Sequence, residues 1–283
     1  MVHFLNVSNQ IWQQFRERAQ RQRRVTPDKA LGLEFEPLTL TTRDGVALDA
    51  WYIPAQGAVG AVVAHHFMGG QKEVLLPWIR VLHALGWAVV CFDARGHGRS
   101  RGALDAAAAA RRLDVEAAWA EARRRGHAGI VGLGQSQGAA VLALAAAPKP
   151  DLCGFIFDSG PAAEILSPTW GFTSTLTKHR SVRLLLTARL VSRAAPARYT
   201  PALLHALWQT RSLPLLWLHG DRDAVTPRWS VAAWYALLRQ QSGPWHAVRI
   251  AEAEHVRCLQ EGGQMVEDAV ANLLQRAAQR ATL

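Results

Sequence analysis

Several residue types are scarce in this sequence, and each scarcity narrows the reading. Cysteine occurs three times in 283 residues, at Cys91, Cys153 and Cys258, with no CxxC pair. An odd number of cysteines this far apart supports neither a disulfide framework nor a zinc site, and it suits a reducing compartment. Of 32 cationic residues, only Lys29, Lys72, Lys149 and Lys178 are lysines. With the abundant alanine, that arginine bias reads first as the imprint of a GC-rich bacterial genome. No apolar run approaches the ~18 residues that span a bilayer. The first residues lack the apolar core of a secretion signal, because Asn6, Ser8, Asn9, Gln10, Gln13 and Gln14 interrupt it. The expected location is the cytoplasm. Acidic residues number 22, which leaves a net charge of +10. Such an excess favours an anionic membrane surface or an acidic substrate. No zinc finger, RNP signature or basic-aromatic strand pattern accompanies it, so nucleic acid is not an expected partner.

What is present is an ordinary globular composition, 49% apolar and 19% charged. Residues 8–24 predict an amphipathic helix. Ser8 can cap it, Ile11, Trp12, Phe15 and Ala19 share a face, and Pro27 ends it. This helix makes a first unit over 1–30, ahead of one domain over 31–283. A hairpin follows, in which strands near 38–42 and 46–53 flank Arg43-Asp44-Gly45. Short apolar runs then alternate with helical stretches. The runs are 60–67, 87–92, 129–133, 152–157, 213–218 and 248–251; the helical stretches are 77–85, 106–125, 137–147, 227–240 and 259–280. That alternation predicts an α/β fold: a mostly parallel sheet with helices on both faces and an antiparallel edge from the opening hairpin. Residues 160–212 are too long for one crossover and predict a helical cap insertion over the strand ends.

In an open α/β sheet, ligands bind beyond the carboxyl ends of the strands. After the run at 129–133 stands Gly134-Gln135-Ser136-Gln137-Gly138, a G-x-S-x-G pattern between a buried strand and an Ala-rich helix. A tight strand-to-helix turn leaves no room for bulky side chains two residues either side of the serine, and the glycines meet that demand. A serine nucleophile needs a base, and the base needs an orienting carboxylate. The run at 213–218 leads into His219-Gly220-Asp221-Arg222-Asp223-Ala224-Val225-Thr226-Pro227, and the last run into Glu252-Ala253-Glu254-His255.

The order Ser136, Asp223, His255 resembles that of the α/β-hydrolase superfamily, and the chain is similar to its bacterial esterase and monoacylglycerol-lipase-like branch over about 36–280. The resemblance implies an α/β-hydrolase fold with Ser136 as nucleophile, His255 as base and Asp223 as acid. Asp223 matches the acid of G-x-x-D-x-x-V-P, with Thr226 as one extra position before Pro227. Asp221 and Asp158 are rival acids. Backbone N–H groups of Gln137 and Phe67 would form the oxyanion hole, Phe67 coming from His65-His66-Phe67-Met68-Gly69-Gly70, which resembles H-G-x-x-G with His66 in place of glycine. Asp93-Ala94-Arg95-Gly96-His97-Gly98-Arg99-Ser100 resembles the structural D-x-R-G-H-G-x-S loop, so His97 is expected to bond within a loop wall, and His219 to be a strand-end residue. His65 and His66 are expected to pack in their loop. As neighbours on a strand they should point apart, so no metal is expected.

The implied activity is hydrolysis of a small-molecule acyl ester through an acyl-enzyme, without a cofactor. A thioesterase, an amidase or peptidase, and a non-catalytic binding protein are the alternatives. Trp170 and Phe172 of the cap are candidate substrate contacts. Between Ile165 and Gly220 there is no Asp or Glu, while Lys178, Arg180, Arg183, Arg189, Arg193, Arg198 and Arg211 supply cations. That composition suggests a lid that meets an anionic head group or lipid surface.

Overall fold

A computed structural model describes residues 25–103, 110–146, 149–160, 200–226 and 243–281. The expected helices at 8–24 and 227–240, the start of the one at 106–125, and most of the 160–212 insertion, with Trp170 and Phe172, lie outside them.

Eight described strands form one sheet. They are β1 (Glu36–Thr41), β2 (Ala47–Ile53), β3 (Ala61–His65), β4 (Ala88–Phe92), β5 (Ile130–Gln135), β6 (Leu152–Asp158), β7 (Leu215–Gly220) and β8 (Trp245–Ile250), in spatial order β1-β2-β4-β3-β5-β6-β7-β8. β1 and β2 pair antiparallel, as do β2 and β4, and every later pairing is parallel. The five strands β3 to β7 are buried along their whole length, which is why they read as unbroken apolar runs. β8, at the sheet edge, is half-exposed.

Six described helices cover the sheet: α1 (Pro27–Leu31), α2 (Leu76–Ala84), α3 (Arg111–Arg124), α4 (Gln137–Ala146), α5 (Thr200–Gln209) and α6 (Cys258–Ala281). Adjacent strand residues face opposite cores. Val63, Val90, Phe155 and Phe157 meet Trp119 of α3, Leu142 of α4 and Leu207 of α5. Val62, Val89, Leu133 and Leu218 meet Trp78 of α2 and Leu259, Val270 and Leu274 of α6. A 3-10 turn, Lys72–Leu75, leads into α2, and α6 bends at Gly263.

α4 is buried on nearly every side, and its alanines let it lie close to the sheet. α5 belongs to the stretch read as a cap. Leu203 and Leu207, four residues apart, bury against the first core, so α5 packs on the sheet between β6 and β7 in chain order.

Candidate active site

β5 runs two residues beyond its apolar core and pairs through Gln135 with Asp158 of β6. Ser136 alone separates β5 from α4. Its φ of 52° lies in the left-handed region, where a non-glycine residue is strained. The turn holds because its neighbours are minimal. A Cβ on Gly134 would come within 2.4 Å of Ala139 Cα, and one on Gly160 within 2.4 Å of Ser136 O. A Cβ on Gly138 would meet the carbonyl oxygens of His65 and His66, both at 2.7 Å. The first turn of α4 therefore lies directly on the loop that follows β3.

The side chains of Ser136, His255 and Asp223 form one hydrogen-bonded chain. Ser136 Oγ is 2.9 Å from His255 Nε2, and His255 Nδ1 is 2.7 Å from Asp223 Oδ2. Asp223 Oδ1 accepts from the N–H groups of Val225 and Thr226, each at 2.8 Å. Burial alone would raise the Asp223 carboxyl; the His255 hydrogen bond and charge and the Thr226 N–H outweigh it and hold the group below its usual value. An ionised Asp223 can only accept, so His255 Nδ1 carries the proton, and Nε2 is left to accept from the Ser136 hydroxyl. Such a chain can activate a serine for attack on a carbonyl.

The two rival carboxylates have other partners. Asp221 pairs with the exposed Arg249 at 2.7 Å. Asp158 is wholly buried, accepts from Gln135 Nε2 and Ser159 Oγ, and is pushed up by burial. The acid and base loops are tied together: Arg222 N–H donates to Ala253 O at 3.0 Å, and a Cβ on Gly220 would lie 2.1 Å from the same oxygen.

Phe67 follows β3, and Gln137 opens α4, so the two expected N–H donors flank the Ser136 turn. The loop carrying Phe67 is built on three neutral histidines. His65 Nδ1–H donates to His66 O at 2.7 Å, His66 Nδ1–H to Phe67 O at 2.7 Å, and His97 Nδ1–H to Arg95 O at 3.0 Å. The opposite nitrogen accepts in turn: His66 Nε2 from Ala94 N–H at 3.0 Å, His97 Nε2 from Gly69 N–H at 3.1 Å. Burial lowers all three, His66 and His97 to about 3. The His65 and His66 rings do not point apart as adjacent strand residues would. His66 lies past the end of β3, and the ring centroids are 5.3 Å apart. Among the described residues, no group of three or more His, Cys, Asp or Glu could hold a metal ion.

His219, at the end of β7, places Nδ1 4.0 Å from Asp223 Oδ2, beyond hydrogen-bond reach. Two neighbours of the site escaped the sequence reading. Ser159, also at positive φ, accepts from Val256 N–H at 2.8 Å and so holds the turn just after His255. Arg111, fully buried on α3, donates to Gln137 Oε1. Ser159 had a signal in its place directly after β6; Arg111, far from every motif, had none.

Comparison with known proteins agrees with this architecture. Residues 56–212 match the family described as serine aminopeptidase, S33. An uncharacterized Escherichia coli protein, YfhR, is 26% identical over 231 residues, 78% of this chain and 73% of that one. Among solved structures, the Pyrococcus furiosus esterase Pf2001 is similar at a TM-score of 0.73 and 22% identity, covering 90% of this chain and 95% of that one. An alpha-beta hydrolase from Vibrio vulnificus is similar at a TM-score of 0.72 and 16% identity, covering 94% of each chain.

Proposed function

Since the chain belongs to the serine aminopeptidase S33 family, within the α/β-hydrolase superfamily, we propose that it is a serine hydrolase cleaving an acyl ester. The observation that carries this reading is the hydrogen-bonded chain from Ser136 Oγ through His255 to Asp223. His255 Nε2 takes the hydroxyl proton as Ser136 Oγ bonds to the substrate carbonyl carbon. The oxyanion is held by the N–H groups of Phe67 and Gln137. His255 then gives its proton to the leaving alcohol oxygen as the C–O bond breaks. In the second half it deprotonates a water, which attacks the acyl-enzyme, and returns the proton to Ser136 as the acid leaves. Asp223 keeps the imidazole in the needed tautomer and stabilises its cation.

The family description favours a second reading, an aminopeptidase. That activity must hold the ammonium of a peptide N-terminus, which calls for a carboxylate near the pocket. The stretch from Ile165 to Gly220 has no Asp or Glu and seven cations. Asp223 and Asp158 are already engaged by His255, Gln135 and Ser159. Charge therefore favours a neutral or anionic ester, and the similarity to the Pyrococcus furiosus esterase supports the same reading.

The test has two parts. A fluorophosphonate should label Ser136 in the wild type and leave Ser136→Ala unlabelled. On a panel of p-nitrophenyl esters, thioesters and aminoacyl amides, esters should turn over fastest. Labelling with turnover confined to the amides would move the assignment to the peptidase reading. No labelling and no turnover would leave a binding protein.

A further inference from the structure

Arg111 sits at residue 111 of α3, outside every motif, yet its guanidinium lies between the two parts of the chain expected to hold an oxyanion. On one side it donates through Nη1 to Gln137 Oε1. On the other, Nη2 is 3.5 Å from His65 Nε2. Both ends are informative. Gln137 is the residue whose own N–H is one expected donor. His65 donates from Nδ1 to His66 O at 2.7 Å, and that carbonyl shares a peptide plane with the Phe67 N–H, the other expected donor. A trans peptide is rigid, and its C=O and N–H point in opposite directions. Holding His66 O therefore aims the Phe67 N–H.

The guanidinium is planar and permanently charged, with donors fixed as a fork. Arg111 is completely buried, so this fork is locked by its surroundings rather than mobile in solvent. Its charge also reaches the loop: Arg111 is among the groups that make His65, His66 and His97 harder to protonate. A fixed cation behind two N–H donors stabilises negative charge that develops in front of them, and costs no reorganisation when it does.

We propose that Arg111 is a positioning residue for the hydrolytic reaction, whose guanidinium ties Gln137 to His65 and so holds the two halves of the oxyanion hole in register. The proposal rests on the serine hydrolase reading. Arg111 touches no reacting atom; it acts through Gln137 and through the His65-His66 carbonyl. Its removal therefore affects the transition state, where the oxyanion exists, more than the bound ester.

The experiment compares wild type, Arg111→Met, Gln137→Met and the double variant on one p-nitrophenyl ester, with a thermal melt of each. Gln137→Met is close in size and removes the acceptor without touching the buried arginine. Both single variants should lose about ten- to a hundredfold in kcat, with KM changed less than about threefold, on the scale of lost supporting contacts. The double variant should be no worse than the more damaged single one, since both break one link. If Arg111→Met gives no cooperative melt, Gln137→Met decides alone. A folded Arg111→Met or a Gln137→Met with wild-type kcat overturns the proposal, and so does a loss that falls on KM with kcat unchanged. A wild type that neither turns over ester nor takes the fluorophosphonate label refutes the hydrolase reading and takes this proposal with it. A wild type that does both, beside unaffected variants, refutes the proposal alone.

Discussion

Two loops leave the same end of the sheet on either side of β3, and both are dense in the residue types of catalysis. The one after β4 holds Asp93, Arg95 and His97; the one after β5 is the Ser136 turn, between Gln135 at the end of the strand and Gln137 at the head of α4. In the first, the polar side chains bind the loop's own backbone and neighbouring parts of the scaffold. Asp93 accepts from the N–H groups of Lys72 and Arg99 and pairs with Lys72 Nζ at 3.1 Å. Arg95 bridges Asp114 at 2.8 Å and Asp44 at 2.7 Å. His97 spans two backbone groups. In the second, one hydroxyl in a strained turn faces a histidine contributed by a distant loop. Histidine, aspartate and arginine therefore do not mark chemistry by themselves; what each side chain bonds to does. The first loop is expected to govern stability and the second to govern rate.

The strongest challenge to that division is Ser136→Ala. It should lower kcat by about 10⁴- to 10⁶-fold. Its melting temperature should stay near that of the wild type, because one oxygen is removed from a half-exposed turn. Retention of several per cent of the activity would mean the nucleophile is elsewhere. Next is the pair Asp223→Asn and Asp221→Asn. The first should cost about 10⁴-fold in kcat, since an amide cannot hold the same imidazole tautomer. The second loses only a surface partner of Arg249 and should leave kcat unchanged. Equal losses would break the assignment of the acid.

Arg95→Met tests the other loop. It removes the guanidinium from the buried Asp114, which keeps the Arg95 backbone N–H, and should cost about 3 kcal/mol in denaturant unfolding, while kcat of the folded enzyme stays within about threefold of wild type. A kcat that falls with stability intact would erase the distinction between the loops. The remaining prediction concerns pH. Unfolded histidines take up protons near 6.5, whereas folded His66 and His97 stay neutral down to about 3. The unfolded state thus binds more protons across that window, and stability present above pH ~6.5 drains away as pH falls, by at most about 1.4 kcal/mol per histidine per pH unit. The lowered Asp223 acts in the same sense at more acidic pH. Melting temperature should fall between pH 7.5 and 5. A flat or rising profile would show that the histidine frame is not held neutral.

Much of the fold was legible because its signals are local. Buried strands read as apolar runs, and the Arg43-Asp44-Gly45 turn announced the antiparallel edge. Ser136 was legible because Gly134 and Gly138 answer a steric demand within five residues. Asp223 and His255 needed the chain order as well. The ends of β5 and β8 were misread because polar Gln135 and His246 carry strand pairing without apolar continuity. The loop roles of His65, His66 and His97 were legible from their motifs, but Arg111 and the long-range partners of the histidines were not. The partners lie 26 residues apart for Arg111 and Gln137, and 28 for His66 and Ala94, and no periodicity links such positions. For the 160–212 insertion, the length was visible in the sequence and the direction of the apolar face of α5 was not.

The span between Ser136 and its histidine, 119 residues, has a consequence for the protein's biosynthesis. A ribosome delivers the serine turn, the Phe67 loop and Arg111 well before the loop that carries His255. On the proposed mechanism, an emerging chain or a fragment ending at β7 owns a nucleophile without its base and is chemically silent. In refolding, ester turnover should be among the last signals to return, lagging behind the recovery of helix and sheet. Long-range closure of this kind is slow compared with local structure formation. Reactivity is thereby withheld until the strands that shelter it have closed.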